Sequence, residues 1–338
     1  MQLVLFKRAF IESKIKLKEV YINKEILIKG EDAMKRSLRN EIPYFFMLLP
    51  GVLVLLINNY LPMFGVVMAF QKYRFNENFI KSIFTSEFIG LKNFEFFFMT
   101  ENAYNVTRNT ILYNIVFIVL GLIIPVMLAI GLNELRNKFL KKLYQSIIFL
   151  PYFLSWIVVS YLAYSFFSKN GFFNASILES LGLAGIDWYF EPKYWPFIII
   201  FFQLWKYTGY NIVVYLAAIV GIDGEYYEAA ALDGASKWQS IRHITLPLLK
   251  PLMIILTLLA VGRIFNADFG LFYNVPKNMG SLYTVTDVID TYVFRVLRNT
   301  NDIGMSSAAG LYQAVLGCIT VFTANLIVRK IDPEKALF

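Results

Sequence analysis

The chain has 338 residues, of which 57% are apolar and only 17% charged, and its formal net charge is +8. A soluble domain of this length carries more charge, so this much apolar surface needs lipid to cover it. The single cysteine, Cys318, and the single histidine, His243, exclude a disulfide, a thiolate metal cluster and any site built from several imidazoles, so we expect no metal site.

The chain begins with a charged, weakly apolar segment over residues 1–42. We interpret it as a cytosolic tail or a helix on the lipid surface, where Lys and Arg meet anionic headgroups. Because the first residues contain no small-residue cleavage site, we predict no removable signal peptide. Residues 43–338 are predicted to form the membrane domain.

Six stretches provide the roughly 20 apolar residues that a helix needs to cross a hydrocarbon core. They are Tyr44–Phe70, Thr110–Leu132, Leu143–Phe167, Trp195–Val220, Leu248–Tyr273 and Met305–Val328. The predicted fold class is therefore all-α integral membrane, with six transmembrane helices. Twenty of the 32 Lys and Arg residues lie on one side of these spans and ten on the other. The positive-inside rule then places both termini in the cytosol and the chain in the plasma membrane, and this distribution argues against a nucleic-acid partner.

The loop between the fourth and fifth spans, residues 221–247, has the pattern of a helix–turn–helix. Asp223 can cap a first helix, and Asp233-Gly234 can end it, because glycine readily adopts the left-handed conformation. Ser236 followed by Gln239 forms a capping box that starts a second helix. Ordered loops of this length are usually functional, and the exposed aromatic residues on this one favour a protein interface over a passive surface loop.

The same loop resembles the EAA motif of ABC-importer permeases, through Glu228-Ala-Ala-x-x-Asp-Gly-Ala235 and then Ile244-x-Leu-Pro247. The resemblance extends over about Pro43 to Ile331 and is nearest to the polysaccharide and oligosaccharide permeases of the maltose-type family. It implies that a short helix docks on the ATP-hydrolysing subunit. The coupling residues that it implies are Glu228, Ala229, Ala230, Asp233, Gly234 and Ala235.

The resemblance also implies the partners. These are a second homologous permease, two ATPase subunits that bind ATP and Mg, an extracytoplasmic solute-binding protein and an oligosaccharide cargo. The chain itself contains no Gly-x-x-x-x-Gly-Lys-Ser/Thr phosphate loop and no paired carboxylates or nucleophile–base motif. We therefore expect no cofactor and no enzymatic activity in this chain.

Polar side chains within the spans mark a candidate path, because ionisable groups in a bilayer tend to face a water-filled pathway. The candidates are Trp156, Gln203, Lys206, Tyr210, Arg263, Asn266 and Asp268. Amides and charges suit sugar hydroxyls, and aromatic rings suit pyranose faces. Alternatively, Lys206, Arg263 and Asp268 pair with each other or with a partner helix and only hold the bundle together, and Trp156 is an interfacial anchor.

Three other functions remain open from the sequence. A type I importer permease for a non-sugar solute would carry the same motif. A stand-alone secondary transporter would show inverted repeats, broken spans or a ladder of acidic residues, and only Asp268 is acidic within a predicted span. A membrane enzyme would need clustered acidic residues or histidines at the membrane edge, and the sequence shows no such cluster.

Overall fold

The structure is a computed structural model that describes residues 41–74, 78–99 and 101–331, and helices dominate it. The helices are α1 (Glu41–Phe70), α2 (Phe79–Thr85), α3 (Lys92–Met99), α4 (Glu101–Asn133), α5 (Lys138–Phe149), α6 (Trp156–Phe167), α7 (Trp195–Val220), α8 (Gly224–Leu232), α9 (Lys237–Ser240), α10 (Leu246–Val261), α11 (Phe269–Asn274), α12 (Tyr283–Thr286), α13 (Ile289–Thr300) and α14 (Ile303–Ile331). Two short strands, β1 (Gln71–Lys72) and β2 (Glu87–Phe88), pair antiparallel. The tail predicted over residues 1–42 lies, but for its last two residues, outside the described residues.

The chain divides into two compact units, Met1–Gly65 and Val66–Phe338. Five helices in the described ranges are long and apolar enough to cross a membrane, and a bent helix pair can supply a sixth span. The five are Glu41–Phe70, Ala103–Asn133, Pro192–Val220, Lys237–Val261 and Ile303–Lys330. The structure therefore confirms the predicted all-α membrane fold with six spans.

The bent pair corrects the prediction of a continuous third span over Leu143–Phe167. Helix α5 and a short 3-10 turn, Leu150–Phe153, meet α6 at an angle of 101°. Pro151 has no N–H to continue the helical ladder. Ser155 then caps α6, its Oγ accepting a hydrogen bond from Val158 N at 3.3 Å, so the chain starts a new helix in a new direction.

Helices α4 and α7 pack along each other at the centre of the second unit. One apolar cluster surrounds the first half of α7, with Trp195, Ile199 and Phe202 buried in it. A second cluster surrounds the last turns, with Ile212 and Leu216. Apolar clusters thus surround both ends of α7, so the polar side chains between them stand out as candidates for a site.

Gly209 lies between these clusters, where α7 crosses the end of α5. A Cβ at this position would lie 2.2 Å from the carbonyl oxygen of Ile148. Only glycine therefore lets the two backbones approach this closely, and this contact fixes α5 against α7.

Candidate functional site

The loop after α7 folds as the predicted helix–turn–helix. Asp223 caps α8, and its Oδ1 accepts a hydrogen bond from Glu225 N at 3.1 Å. The helix ends at Leu232, Gly234 follows with a φ of +78°, and Ala235 N donates to Ala230 O at 2.9 Å. This is the left-handed glycine stop expected from the sequence. Its position as the bend between two helices is confirmed.

The second helix also begins as predicted. Ser236 N donates to Gln239 Oε1 at 2.7 Å, and Gln239 N donates to Ser236 Oγ at 3.4 Å, which completes the capping box. Helix α9 continues through a π-helical turn, Ile241–Thr245, into α10. The loop is therefore joined directly to the fifth span by continuous helix.

The residues that the EAA resemblance identifies lie at the surface of this loop. Glu228, Ala229, Asp233 and Gly234 are exposed, and Ala230 and Ala235 are half-buried. Three large apolar side chains beside them are also exposed, Leu232 at 90%, Trp238 at 69% and Tyr226 at 58%. An exposed apolar patch next to small residues is typical of a protein interface.

Two side-chain contacts join the loop to the membrane helices. The hydroxyls of Tyr227 and Thr245 are 2.9 Å apart, and Thr245 is buried. Lys237 Nζ lies 2.6 Å from Glu134 Oε2, just beyond the end of α4. These contacts join α8 to the start of the fifth span and α9 to the end of the second.

The fifth span corrects another prediction. Its helix was predicted to continue over Leu248–Tyr273, but α10 ends at Val261 and α11 begins only at Phe269. Residues 262–268 form turns and extended chain, which we call the unwound segment. Arg263, Asn266 and Asp268 belong to it and not to a regular helix. Irregular backbone at membrane depth is tolerated where protein buries it or where it lines a water-filled cavity.

Side chains from three other helices bind the backbone of the unwound segment. Asn114 Nδ2 on α4 donates to the carbonyl oxygens of Ile264 at 3.0 Å and Asn266 at 3.2 Å. Asp290 on α13 accepts a hydrogen bond from Ala267 N at 2.8 Å.

Gln313 completes this support from α14. Its Nε2 donates to the carbonyl oxygen of Phe265, and to Asp290 Oδ2 at 3.1 Å. The sequence analysis missed Asn114, Asp290 and Gln313. The signal for Asn114 and Gln313 was present, since each is an amide within a span that is otherwise mostly apolar.

Asp268 is the central acceptor of this region. Its Oδ2 accepts hydrogen bonds from Trp156 Nε1 and from the hydroxyl of Tyr207, both at 2.8 Å. Its Oδ1 accepts from Leu271 N at 3.3 Å and so caps α11. Across the described ranges Asp268 forms no ion pair, so the alternative in which Asp268 pairs with Lys206 or Arg263 is not what the structure shows.

A cavity of about 570 Å³ lies between α4, α7, α10 and the unwound segment. Its lining residues are Asn114, Phe117, Ile118, Gly121, Leu122, Gln203, Tyr207, Asn211, Tyr215, Leu256, Thr257, Leu259, Ala260, Arg263, Asn266 and Asp268. Four of the seven predicted path residues are thus brought together, namely Gln203, Arg263, Asn266 and Asp268. Gln203 Oε1 is buried with no hydrogen-bond partner, so the wall carries an acceptor without a donor.

Lys206, Tyr210 and Trp156 do not line this cavity. The Lys206 side chain is buried, and its Nζ donates to the carbonyl oxygen of Tyr152 at 2.9 Å and to that of Leu154. These carbonyls belong to the break between α5 and α6, where the helical ladder leaves them free. Tyr210 stacks on Tyr152, with ring centroids 5.0 Å apart. Lys206 therefore satisfies the free carbonyl groups at the break in the third span, and Trp156 orients the Asp268 carboxylate.

Two broken spans, a polar cavity between helices and an exposed helix–turn–helix are features of a membrane permease. The family model of the binding-protein-dependent transport system inner membrane component matches residues 121–333. The chain belongs to this family, and it is a permease subunit of an ABC importer. Broken spans, which the sequence analysis associated with a stand-alone transporter, thus occur in an importer permease.

Similar proteins extend over most of the chain. Protein LplB of Bacillus subtilis is 34% identical over 304 residues, covering 88% of this chain and 92% of that protein. The polygalacturonan/rhamnogalacturonan transport system permease protein YteP, also of Bacillus subtilis, is 30% identical over 290 residues, covering 86% and 88%. A chain in the crystal structure of a bacterial ABC transporter involved in the import of the acidic polysaccharide alginate has a TM-score of 0.79 at 30% identity. The match covers 88% of this chain and 99% of that chain.

Proposed function

We propose that this chain forms half of the path of an ATP-driven oligosaccharide importer and that its loop 221–247 couples the path to an ATPase. The observation that carries the proposal is the exposed loop surface around Ala229, where small residues lie beside Leu232 and Trp238. In water this apolar area is costly, and a cleft on a partner would bury it. Tyr227 and Lys237 would transmit its movement to the fifth and second spans.

An oligosaccharide is the cargo that the cavity and the relatives favour together. Amide groups of Gln203, Asn211 and Asn266 and the ring of Tyr207 lie on one cavity wall. Amides hydrogen-bond hydroxyls, and an aromatic ring covers an apolar sugar face. Relatives named for arabinooligosaccharides and for polygalacturonan support the same cargo class.

The remaining partners follow from the same proposal. A second homologous permease supplies the other half of the path, two ATPase subunits bind ATP and Mg on the cytosolic side, and an extracytoplasmic binding protein delivers cargo. The charge distribution supports an orientation with the loop and both termini in the cytosol. A related alginate transporter was crystallised with a periplasmic protein bound to an alginate pentasaccharide, which supports delivery of this kind.

Two substitutions in the loop test the coupling. Ala230→Trp puts a bulky side chain into a close interface, which costs roughly 1–3 kcal/mol. Gly234→Val puts a Cβ on a residue at φ +78°, which costs roughly 1–2 kcal/mol. Both should abolish uptake and reduce the ATPase subunit that co-purifies with the permease, while membrane insertion is retained.

Gly90→Val is the matched control, because Gly90 also has a positive φ, of +64°, with open space around its Cα, but lies far from the loop in sequence. Gly90→Val should bear the same backbone strain, and the ATPase subunit should still co-purify with this variant. Normal uptake and normal co-purification in Ala230→Trp and Gly234→Val together would contradict the proposed coupling role.

A further inference from the structure

The cavity presents one charged side chain without a partner, and that side chain is a cation. Arg263 lies on the wall and is exposed. Within residues 41–74, 78–99 and 101–331 its guanidinium takes part in no hydrogen bond or ion pair. A guanidinium carries five N–H donors in a planar fork, so Arg263 offers them all to whatever enters the cavity.

The carboxylate on the same wall is already committed to the protein. Asp268 accepts from Trp156 and Tyr207 through one oxygen and from Leu271 N through the other. These bonds hold the carboxylate towards α6, α7 and α11. It is therefore a poor counter-ion for Arg263 and a poor acceptor for cargo.

A second cation, Lys206, does not line the cavity but lies close enough to offset the negative charge of Asp268. Lys206 Nζ lies 5.3 Å from the ring of Trp156 and 5.9 Å from the ring of Tyr207. These are the two rings whose polar hydrogens bind Asp268. The nearby Asp290 faces Ala267 N and Gln313 on the far side of the unwound segment. The positive charge of Arg263 is thus left uncompensated at the cavity surface.

We propose that the cargo of this path is an acidic oligosaccharide, a chain containing uronate residues, and that Arg263 pairs with one of its carboxylates. A guanidinium and a carboxylate match in two parallel hydrogen bonds, which gives both strength and orientation. The side-chain amides of Asn211 and Asn266, which line the cavity, would hydrogen-bond sugar hydroxyls. This inference rests on the proposed function and narrows its substrate class.

The experiment measures binding of two probes to the purified complex of this permease with its partner permease and ATPases. The probes are tetragalacturonate and its fully methyl-esterified form, which has the same backbone without charge. The binding protein is left out, so that its own selectivity does not contribute. The wild-type complex should bind the acid about tenfold or more tightly than the ester.

Arg263→Gln should remove this preference, and Arg263→Lys should retain part of it because the charge remains. Arg329→Gln, which removes an equally exposed cation at the end of α14, should retain it fully. Since Arg263 bonds no described residue, its variants should assemble normally, as size-exclusion chromatography can show.

Equal binding of acid and ester by the wild type overturns the inference, and so does an unchanged preference in Arg263→Gln. Absence of measurable binding of either probe also overturns it. Uptake of neutral oligosaccharides by the complete reconstituted system distinguishes failure of the proposed function from failure of the acidic-cargo inference. If neutral chains are carried without an acid preference, the proposed function stands and the acidic cargo is wrong. If no oligosaccharide is carried at all, both are wrong.

Discussion

The loop 221–247 and the unwound segment both interrupt helices, but different contacts hold them. In the loop the caps join residues two or three apart, Asp223 to Glu225 and Ser236 to Gln239. In the unwound segment the contacts are distant, from Asn114 to Ile264 across 150 positions of the chain. The conformation of a segment with local contacts is largely independent of the rest of the fold, whereas the conformation of a segment with distant contacts depends on the assembled bundle. Substitutions of distant supports should therefore cost more stability than substitutions of local caps.

Lys206→Met should have the largest effect, because Lys206 is a distant support of the broken third span. Loss of the ammonium leaves the half-buried carbonyls of Tyr152 and Leu154 without this donor. Each unsatisfied buried group costs about 1–3 kcal/mol. The expected result is a large fall in the melting temperature of the purified complex, followed by tryptophan fluorescence, and a lower yield.

Lys250→Met is the matched control, because Lys250 is exposed on α10 and its side chain bonds no residue in the described ranges. It should melt within a degree or two of the wild type, since exposed substitutions usually change stability by less than about 0.5 kcal/mol. If the two variants melt alike, Lys206 does not support the break, and the comparison between local and distant contacts fails.

Asp290 should give an intermediate effect that depends on pH. Burial raises the pKa of the Asp290 carboxyl above its ordinary value. The folded protein then favours the neutral form, so its stabilisation is full below the ordinary pKa, about 4, and is lost as pH rises through the raised pKa. The slope contributed by one such group is at most about 1.4 kcal/mol per pH unit.

Asp290→Asn should remove this part of the pH dependence, while its amide oxygen can still accept from Ala267 N. Melting temperatures from pH 4 to pH 8 measure it. Glu179→Gln, at an exposed carboxyl, should keep the wild-type slope. A slope in Asp290→Asn that equals the wild-type slope would show that burial of this carboxyl does not affect stability.

Ser236→Ala should have the smallest effect, because it removes only the side-chain acceptor of the capping box, while the backbone N–H of residue 236 can still donate to Gln239 Oε1. Loss of an N-cap costs about 0.5–2 kcal/mol, and α9 continues into α10, which stabilises it from the other end. We expect a small decrease in melting temperature, with the ATPase still bound, and Ser236→Thr should restore the wild-type value. A decrease as large as that of Lys206→Met would reverse the order that the comparison predicts.

The sequence predicts the loop well because its signals are contained in a few neighbouring residues. Asp223, Gly234 and Ser236 each act on backbone groups within a few positions, and all three act as predicted. The membrane spans were also predictable, since a run of apolar residues defines each one.

The breaks within the spans were not predicted, because apolar composition does not distinguish a continuous helix from a broken one. Pro151 with Ser155 marked the first break, and Gly262 with Asp268 marked the second, but each pair also fits inside a span. Whether a span breaks depends on a donor or acceptor that is distant in the sequence. No local pattern predicts that Lys206 pairs with Tyr152, or Ala267 with Asp290. Lys206 was predicted to line the path because of its charge, whereas in the structure it binds carbonyl oxygens at the break in the third span.

The position of Lys206 also has a consequence for biogenesis. The residue lies near the middle of the span Pro192–Val220, where a lone lysine opposes insertion by about 2.5–3.5 kcal/mol. Its acceptors are on the preceding span, which leaves the ribosome first. The third and fourth spans therefore enter the bilayer most favourably as a hairpin, with the ammonium already bound to the carbonyls of Tyr152 and Leu154. The order of the spans along the chain thus provides Lys206 with acceptors that are already in the membrane.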